Sequence, residues 1–363
     1  MPKLLIVIAR LNVGGTAQYI SELVHGLQHS GYEIIVATGN VQGAEVEDEI
    51  VATLPIKRLS SLGRKISLNR DFEARRQIAD LISSFKPDLV YSHTFKAGLL
   101  VRSLKIDVPR IHAFHGHLLA EPELAGWRRK VVILIERVLA SRAKYLVTVG
   151  ERVAQELLDN GVGSPSQYKS IAPGVRPLEL ENKELAQIAI GTKDEIRPLV
   201  VWLARVTAVK APQRVAKIAQ QIPEAFFILA GGGDLLEEVK VDLPSNMKVV
   251  GWQPASRMWS LADLAISTSE NEGMPVALIE AQLAGIPVVA VDVGSVAEVI
   301  IEGKTGYVLP EFGESYIEKV RTLVHSKTKR AKLGKEARTQ ALTKFSPKKM
   351  VNSHIKLFNE ILA

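Results

Sequence analysis

The fold of this chain is decided by residues 262–290, ADLAISTSENEGMPVALIEAQLAGIPVVA. This stretch holds an apolar run near 264–268, a polar glycine-containing loop, a helix-length apolar segment from Pro275, and a second apolar run near 287–291. Two short apolar runs joined by a helix are typical of parallel strands with a crossover helix. The segment therefore predicts one β-α-β unit of a parallel sheet, with its polar loop after the first strand.

The same alternation continues through most of the chain, in two series. The first series predicts strands near 4–9, 33–37, 89–92, 109–113 and 145–149, and helices near 15–30, 71–85, 127–142 and 150–160. The second predicts further strands near 199–203, 226–230 and 247–250. The predicted fold class is α/β, with two Rossmann-like domains that face each other across a cleft.

A polar stretch separates the two series. It follows Pro173-Gly174, and residues 175–197 are expected to include a linker. We therefore predict an N-terminal domain over 1–173 and a C-terminal domain over 174–345. An amphipathic rhythm after Ser346-Pro347 predicts a last helix near 347–362.

The composition is that of a globular protein, with 363 residues, 47% of them hydrophobic and 23% charged. The sequence has no cysteine, which excludes disulfides and thiolate metal sites and favours a cytoplasmic location. The apolar run Leu4–Ala9 is too short for a signal peptide or a membrane span, and we interpret it as a buried first strand.

The chain is basic, with a formal net charge of +7. Such a charge can attract three kinds of partner: nucleic acid, an anionic membrane surface or an anionic substrate. The cations are dispersed, apart from small clusters such as Arg128-Arg129-Lys130, and no aromatic-plus-basic pattern accompanies them. We therefore expect no nucleic-acid partner. Peripheral contact with the inner membrane surface is compatible with the charge.

Residues suited to ligand binding follow five of the predicted strands. Ligands of open α/β sheets bind beyond the carboxyl ends of the strands, so these loops are candidate site elements. They are Asn12-Val13-Gly14-Gly15, Arg205 to Lys210, Gly231-Gly232-Gly233, Glu270 to Pro275, and Gly294-Ser295.

Two of these loops each allow a functional and a structural interpretation. Gly14-Gly15 opens a helix, and its amides suit an anion, although a simple tight turn would use the same residues. Arg205 and Lys210 suit a diphosphate, although both could be ordinary surface cations.

A pair of glutamates flanks the start of the helix near Pro275. Glu272 lies at the helix mouth, where the amides of Gly273, Met274 and Val276 suit a phosphate. Glu280 lies on the apolar helix itself and needs a partner, which is either a ribose diol or a protein cation.

Three histidines follow the strand near 109–113. His112, His115 and His117, with Glu121 and Glu123 nearby, allow a zinc site, a structural role or contact with substrate. An extended segment would place His115 and His117 on one face and His112 on the other. The interpretation stays open at this point.

Several common motifs are absent from the sequence. It contains no P-loop, no G-x-S-x-G elbow and no D-x-D triplet for a divalent metal on a diphosphate. Cations and helix termini would have to neutralise a diphosphate, so we expect no metal and no other cofactor.

Taken together, these motifs resemble the family 4 glycosyltransferases, which have the GT-B architecture. Glu272 and Glu280 resemble that family's E-x7-E signature, and Arg205 with Lys210 its Arg-x4-Lys pair. The glycine loop, the H-G segment at His115 and the segment 171–175 also agree in order and spacing. The sequence departs from the family pattern at Ser295, where a second glycine is frequent, and at Met274.

The resemblance implies a role for each matching residue. Arg205 and Lys210 would bind the donor diphosphate, Glu280 the ribose, and Glu272 the donor sugar. His115 would sit beside that sugar, and these contacts would make Arg205, Lys210, Glu272 and His115 the catalytic set. Donor-binding positions would be Gly14, Gly15, Gly231, Gly232, Trp252, Gln253, Gly273, Met274, Pro275, Val276 and Glu280. The last helix, 346–363, would complete the first domain.

The resemblance also implies an activity. It is retaining, metal-independent transfer of a hexosyl or N-acetylhexosaminyl group from a nucleotide sugar. UDP is the expected nucleotide on family frequency, and a glycan, lipid-linked or small-molecule acceptor is expected. Two alternatives are a non-hydrolysing nucleotide-sugar epimerase and a non-catalytic nucleotide- or glycan-binding module. Product analysis with the donor alone separates the epimerase from the transferase.

Overall fold

The computed structural model describes residues 1–42, 45–63, 67–116 and 126–363. The chain divides into two compact units. Unit 1 comprises Met1–Val175 and Pro347–Ala363, and unit 2 comprises Arg176–Ser346. Each unit is built on its own parallel sheet, so the predicted α/β fold class is confirmed.

Unit 1 has a seven-stranded sheet in the order β3-β2-β1-β4-β5-β6-β7. Its strands are β1 Lys3–Ile8, β2 Glu33–Thr38, β3 Ile56–Arg58, β4 Leu89–His93, β5 Arg110–Phe114, β6 Tyr145–Thr148 and β7 Tyr168–Ser170. Its helices are α1 Gly15–His29, α2 Leu68–Phe85, α3 Phe95–Ser103, α4 Trp127–Ala140, α5 Glu151–Asp159 and, after unit 2, α13 Pro347–Leu362.

Unit 2 has a six-stranded sheet in the order β10-β9-β8-β11-β12-β13. Its strands are β8 Leu199–Leu203, β9 Phe226–Ala230, β10 Met247–Gly251, β11 Leu264–Ser267, β12 Val288–Val291 and β13 Gly306–Leu309. Its helices are α6 Lys183–Ile190, α7 Gln213–Gln221, α8 Ala255–Leu261, α9 Val276–Leu283, α10 Val296–Val299, α11 Glu314–Val324 and α12 Lys327–Lys344.

Both faces of the unit 1 sheet are buried, as the near-continuous apolar strands require. On β1, Leu4 and Ile6 belong to the core beneath α1 and α13, whereas Leu5 and Val7 belong to the core beneath α2 and α3. This division follows from the alternation of side chains along a strand.

The last helix, α13, packs on α1 within unit 1. A Cβ on Gly26 of α1 would lie 2.3 Å from Cγ2 of Val351, so glycine is what allows the two helices to come this close. The predicted helix near 347–362 is therefore present as Pro347–Leu362.

Strand order reverses direction at one point in each sheet. In unit 1 this point lies between β1 and β4, and in unit 2 it lies between β8 and β11. Such switch points are where open α/β sheets leave a crevice at the carboxyl ends of their strands. Among the described residues, no helix combines the length and apolar character needed to span a bilayer.

Candidate functional site

The loops after β8 and β11 meet at the switch point of unit 2. Thr268 connects them, because its Oγ1 accepts from Trp202 Nε1 at 3.0 Å and contacts the carbonyl oxygens of Lys210 and Ala211 at 3.0 and 3.1 Å. The backbone N–H of Glu270 also donates to the carbonyl of Val209 at 2.8 Å. These bonds hold the loop that carries Lys210 against the loop that follows β11.

Lys210 and Glu272 form an ion pair at this junction. Lys210 Nζ lies 2.6 Å from Glu272 Oε1, and the side chains are 15% and 11% exposed. Ser269 Oγ donates to the same carboxylate oxygen at 2.8 Å. Two predicted site residues that lie 62 positions apart in the sequence are therefore in direct contact. Their sequence motifs imply separate roles, and no local sequence pattern predicts the pair.

Arg205 has a different environment from Lys210. It lies exposed on the turn after β8, and within the described part of the chain its guanidinium makes no ion pair. The structure thus places the two predicted cations in one loop, but only Lys210 is engaged with a carboxylate.

Glycines after β9 bring the backbone against Trp252. A Cβ on Gly231 would lie 1.8 Å from the carbonyl oxygen of Ala204, and Gly231 has φ 141°, so both space and conformation require glycine. A Cβ on Gly232 would lie 2.1 Å from Trp252 Nε1. The Trp252 indole is 48% exposed, so one of its surfaces is open to a ligand. Neighbouring Gln253 bonds the carbonyl of Val250 and the side chain of Arg257.

The loop that carries Glu272 packs on the loop after β12. A Cβ on Gly294 would lie 1.7 Å from the Glu272 carbonyl oxygen, and the Ser295 N–H donates to the Gly273 carbonyl at 2.8 Å. Ser295 is fully buried. The position of Glu272 is therefore set by a close approach that only glycine at 294 permits.

Helix α9 begins directly after this loop. Pro275 is its N-cap residue, with the first helical residue at Val276, and Met274 is buried. Across the described residues, the N–H groups of Gly273, Met274 and Val276 donate to no backbone carbonyl. These amides remain suited to an anion.

Glu280 lies on α9 and is buried. Trp259 Nε1 donates to Glu280 Oε2 at 3.4 Å, a contact that the sequence analysis did not foresee. The helix thus carries one predicted carboxylate near its middle, and Glu272 precedes its N-terminus.

In unit 1 the switch point between β1 and β4 is occupied by the glycine loop and a histidine cluster. Gly14, with φ 144°, is the N-cap of α1, so the positive φ favours glycine there although a Cβ would meet nothing within 4 Å. His93 ends β4, and its Nδ1 lies 2.9 Å from Nε2 of His115, which follows β5. No sequence motif pointed to His93.

Burial controls the charge of His115. It lowers the pKa of His115 to about 4, with a smaller contribution from His354. Burial likewise holds the pKa of His93 well below its usual value. Both rings are therefore neutral at pH 7, and His115 can act as a hydrogen-bonding group rather than as a cation.

His112 has a structural environment. It is fully buried on β5, and its Nδ1 lies 2.9 Å from Ser92 Oγ. Burial, followed by the nearby Arg102 guanidinium, holds the pKa of His112 well below its usual value. His117, Glu121 and Glu123 lie outside the described residues. Among those described, no group of three or more histidine, aspartate or glutamate side chains is arranged to hold a metal ion.

Two family models match the chain, one in each unit. "Glycosyl transferase 4-like domain" matches residues 14–174, and "Glycosyl transferases group 1" matches residues 184–340.

The chain belongs to the group 1 and 4-like glycosyl transferases.

Curated relatives of the glycosyltransferase share about a quarter of its residues. The sulfoquinovosyl transferase SQD2 of Arabidopsis thaliana is 25% identical over 347 residues, which cover 90% of this chain and 67% of that protein. The D-inositol 3-phosphate glycosyltransferase of Mycobacteroides abscessus is 26% identical over 255 residues, which cover 61% of this chain and 55% of that protein. The chain thus spans about two thirds of the length of the first relative and about half of the length of the second.

Solved structures share the fold of this glycosyltransferase. Sucrose-phosphate synthase from Thermosynechococcus elongatus has a TM-score of 0.85 and 16% identity, covering 99% of each chain. Anabaena HepE in complex with UDP and glucose has a TM-score of 0.83 and 17% identity, covering 99% of this chain and 100% of that one. The expected GT-B architecture is therefore confirmed.

Proposed function

We propose that the protein is a retaining glycosyltransferase that uses a nucleotide sugar without a metal ion. The observation that carries the proposal is the Lys210–Glu272 pair of 2.6 Å, placed at the switch point of unit 2 beside the first turn of α9. A diphosphate there would meet a lysine ammonium and free helix amides, which are the groups that bind phosphate in proteins.

In this proposal Glu272 binds the donor sugar and Lys210 stabilises the leaving group. The contacts that described residues make to the Glu272 carboxylate, from Lys210 and Ser269, both use Oε1. Oε2 is therefore suited to accept from donor sugar hydroxyls. Lys210, positioned by the carboxylate, and Arg205 on the same loop stabilise the negative charge of the departing nucleotide. One preorganised group of this kind is worth about 3–4 kcal/mol in the transition state.

The remaining predicted residues hold the donor. The exposed Trp252 indole against Gly232 offers a flat surface for the base, and Glu280 accepts from the ribose hydroxyls. For unit 1, we propose that Gly14, Gly15 and neutral His115 take part in binding substrate. In this proposal the acceptor hydroxyl attacks the face that the nucleotide leaves, as the bond between the sugar and the diphosphate breaks. The departing phosphate takes the acceptor's proton, so the anomeric configuration is retained without a protein nucleophile.

UDP is the nucleotide we propose, transferring a hexosyl or N-acetylhexosaminyl group. HepE, which has this fold, was solved with UDP and with UDP-glucose, and TarM was solved with UDP. The proposed acceptor is a glycan or a lipid-linked or small molecule. We further propose a cytoplasmic location with peripheral contact at the inner membrane surface, for which the net charge of +7 is the support.

Calorimetry with UDP, GDP and ADP, in the presence of a chelator, tests the donor site. We expect one nucleotide to bind to the wild type, and Glu280→Ala to weaken its binding at least about tenfold. Glu224→Ala is the matched control, because Glu224 is an exposed glutamate of unit 2. If the folded wild type binds no nucleotide, or binds only when a metal is added, the proposal is wrong. NMR of the product then tests retention.

A further inference from the structure

Helix α4 is attached to unit 1 by a narrow face. Its buried residues are Glu136, Leu139 and Ala140. Glu136 pairs with the fully buried Arg102 at 2.9 Å. At about 100° per residue, Leu139 and Ala140 lie on the same side of the helix as Glu136. The face that packs on the unit is thus centred on a paired carboxylate.

The opposite face of α4 is apolar and exposed. Trp127 is 71% exposed, Val131 44%, Leu134 62% and Val138 53%. Spacings of four, three and four residues place these side chains within a sector of about 60°, in a stripe about 17 Å long. Ile135 beside the stripe is only half-buried, as are Val132 and Ile133 on the flanks of the packing face. Such a contiguous exposed apolar stripe marks an interaction surface.

Cations border this stripe at both ends. Those exposed at the start are Arg128, Arg129 and Lys130, and those exposed at the end are Arg137, Arg142 and Lys144. The only acidic residue between positions 126 and 144 is Glu136, which faces the core. Between these positions the helix therefore combines exposed apolar side chains with positive charge, and its single carboxylate faces the core.

We propose that this face of α4 docks on an anionic lipid bilayer. Trp127 and Leu134 would enter the boundary between headgroups and acyl chains, and the cations would contact lipid phosphates. The inference deepens the membrane contact proposed above by naming the surface responsible. Its test involves no sugar transfer, so the two proposals can fail separately.

Charge favours a bilayer over a second copy of the chain. In a two-fold symmetric contact the same surface meets itself. An antiparallel pairing of α4 would bring Arg128 to Lys130 against Arg137 and Arg142, and a parallel pairing would bring each cluster against its own copy. Like charges would meet in both cases, whereas an anionic bilayer is complementary to both ends of the helix.

Vesicle co-sedimentation of the full chain tests the proposal. The vesicles contain phosphatidylcholine alone or phosphatidylcholine with 30% phosphatidylglycerol, a proportion on the order of the anionic share of many membranes. Two variants probe the surface, Trp127→Ser with Leu134→Ser, and Arg128→Gln with Arg129→Gln and Lys130→Gln. Ile196→Ser, at a 95% exposed residue of unit 2, is the apolar control, and a triple change to Gln at the exposed Lys327, Lys329 and Lys332 is the charge control.

We expect the wild type and both controls to bind the anionic vesicles, and each α4 variant to bind at least about tenfold more weakly. Circular dichroism and nucleotide calorimetry show that the variants remain folded. Any of three results overturns the proposal: no binding by folded wild type, equal binding by the α4 variants, or equal binding to pure phosphatidylcholine. A dimer in solution that Trp127→Ser with Leu134→Ser converts to a monomer would assign the face to self-association instead.

Discussion

The buried histidine of α13 makes the stability of unit 1 dependent on pH. His354 is fully buried, its Nδ1 lies 2.9 Å from the Met350 carbonyl oxygen, and its Nε2 lies 3.0 and 3.2 Å from the hydroxyls of Tyr19 and Tyr91. The carbonyl requires a proton on Nδ1, so the single lone pair of Nε2 accepts from the nearer Tyr19 hydroxyl and the ring is neutral. Burial lowers the pKa of His354 to about 4, against the smaller opposing effect of the Met350 bond.

The size of the effect follows from linkage. As pH falls, His354 takes up a proton in the unfolded chain near pH 6.5 but resists it in the folded chain until about pH 4. The stabilisation is therefore present above pH 6.5 and is lost as pH falls through this window. Between pH 7 and pH 5 the difference in bound protons corresponds to about 2 kcal/mol of unfolding free energy from this one ring.

His354→Gln isolates this contribution, because it removes the titrating group from the cluster. Urea-dependent amide exchange of β1 and β4 measures the unfolding free energy of unit 1 at pH 7 and pH 5. From pH 7 to pH 5, we expect the unfolding free energy of the variant to fall by about 2 kcal/mol less than that of the wild type. In His29→Gln, a change at an exposed histidine, it should fall as much as in the wild type. Equal losses in wild type and His354→Gln would refute the reasoning.

Two further predictions concern the donor site. Lys210→Ala should lower kcat about 10²–10³-fold in steady-state kinetics, with a much smaller effect on nucleotide affinity in calorimetry. The control Lys217→Ala, at an exposed lysine, should keep near-wild-type turnover. Near-normal turnover of Lys210→Ala would contradict the role of Lys210. Gly232→Ala places a Cβ 2.1 Å from Trp252 Nε1 and should weaken nucleotide binding about tenfold or more. The control Gly313→Ala, with open space around its Cβ, should leave nucleotide affinity unchanged. Unchanged affinity in Gly232→Ala would show that Trp252 does not bind the base.

The fold was predictable where a segment carries its own apolar pattern. Strands β1 and β8, with five or more consecutive apolar residues, were placed within a residue of their observed bounds. The three-residue strands β3 and β7 were missed, because edge strands with few buried side chains leave no such pattern. Helix α6, Lys183–Ile190, lies inside the expected linker. It was missed because its eight residues give only about two turns of helical pattern within a polar stretch.

Individual site residues were predictable from the sequence, but the contacts between them were not. Local motifs pointed to Lys210, Glu272 and His115, whereas the Lys210–Glu272 pair and the His93–His115 contact depend on which strands are neighbours. A signal was available, because residues that follow the two strands flanking a switch point must lie close together. Assigning β8 and β11 to that point from the sequence would have predicted the ion pair.

Helix α4 shows why pattern alone does not determine which face is buried. Its sequence Val131 to Ile135 contains only apolar residues, and burial of that stretch would be the ordinary expectation. The structure instead buries Glu136, because Arg102 on α3 supplies a partner within hydrogen-bond distance. The buried, paired carboxylate sets the packing face, which leaves Val131 and Leu134 on the opposite side of the helix.

In both sheets the candidate site residues lie at the switch point, for the same topological reason. At the switch point of unit 1, β1 leads into Gly14 and β4 ends at His93. At that of unit 2, β8 leads into Lys210 and β11 into Glu272. Helices after neighbouring strands diverge at such a point, so the loops there remain open to a ligand while the strands stay buried. Substitutions in these loops should therefore change ligand binding more than stability, whereas those in the strands should do the reverse.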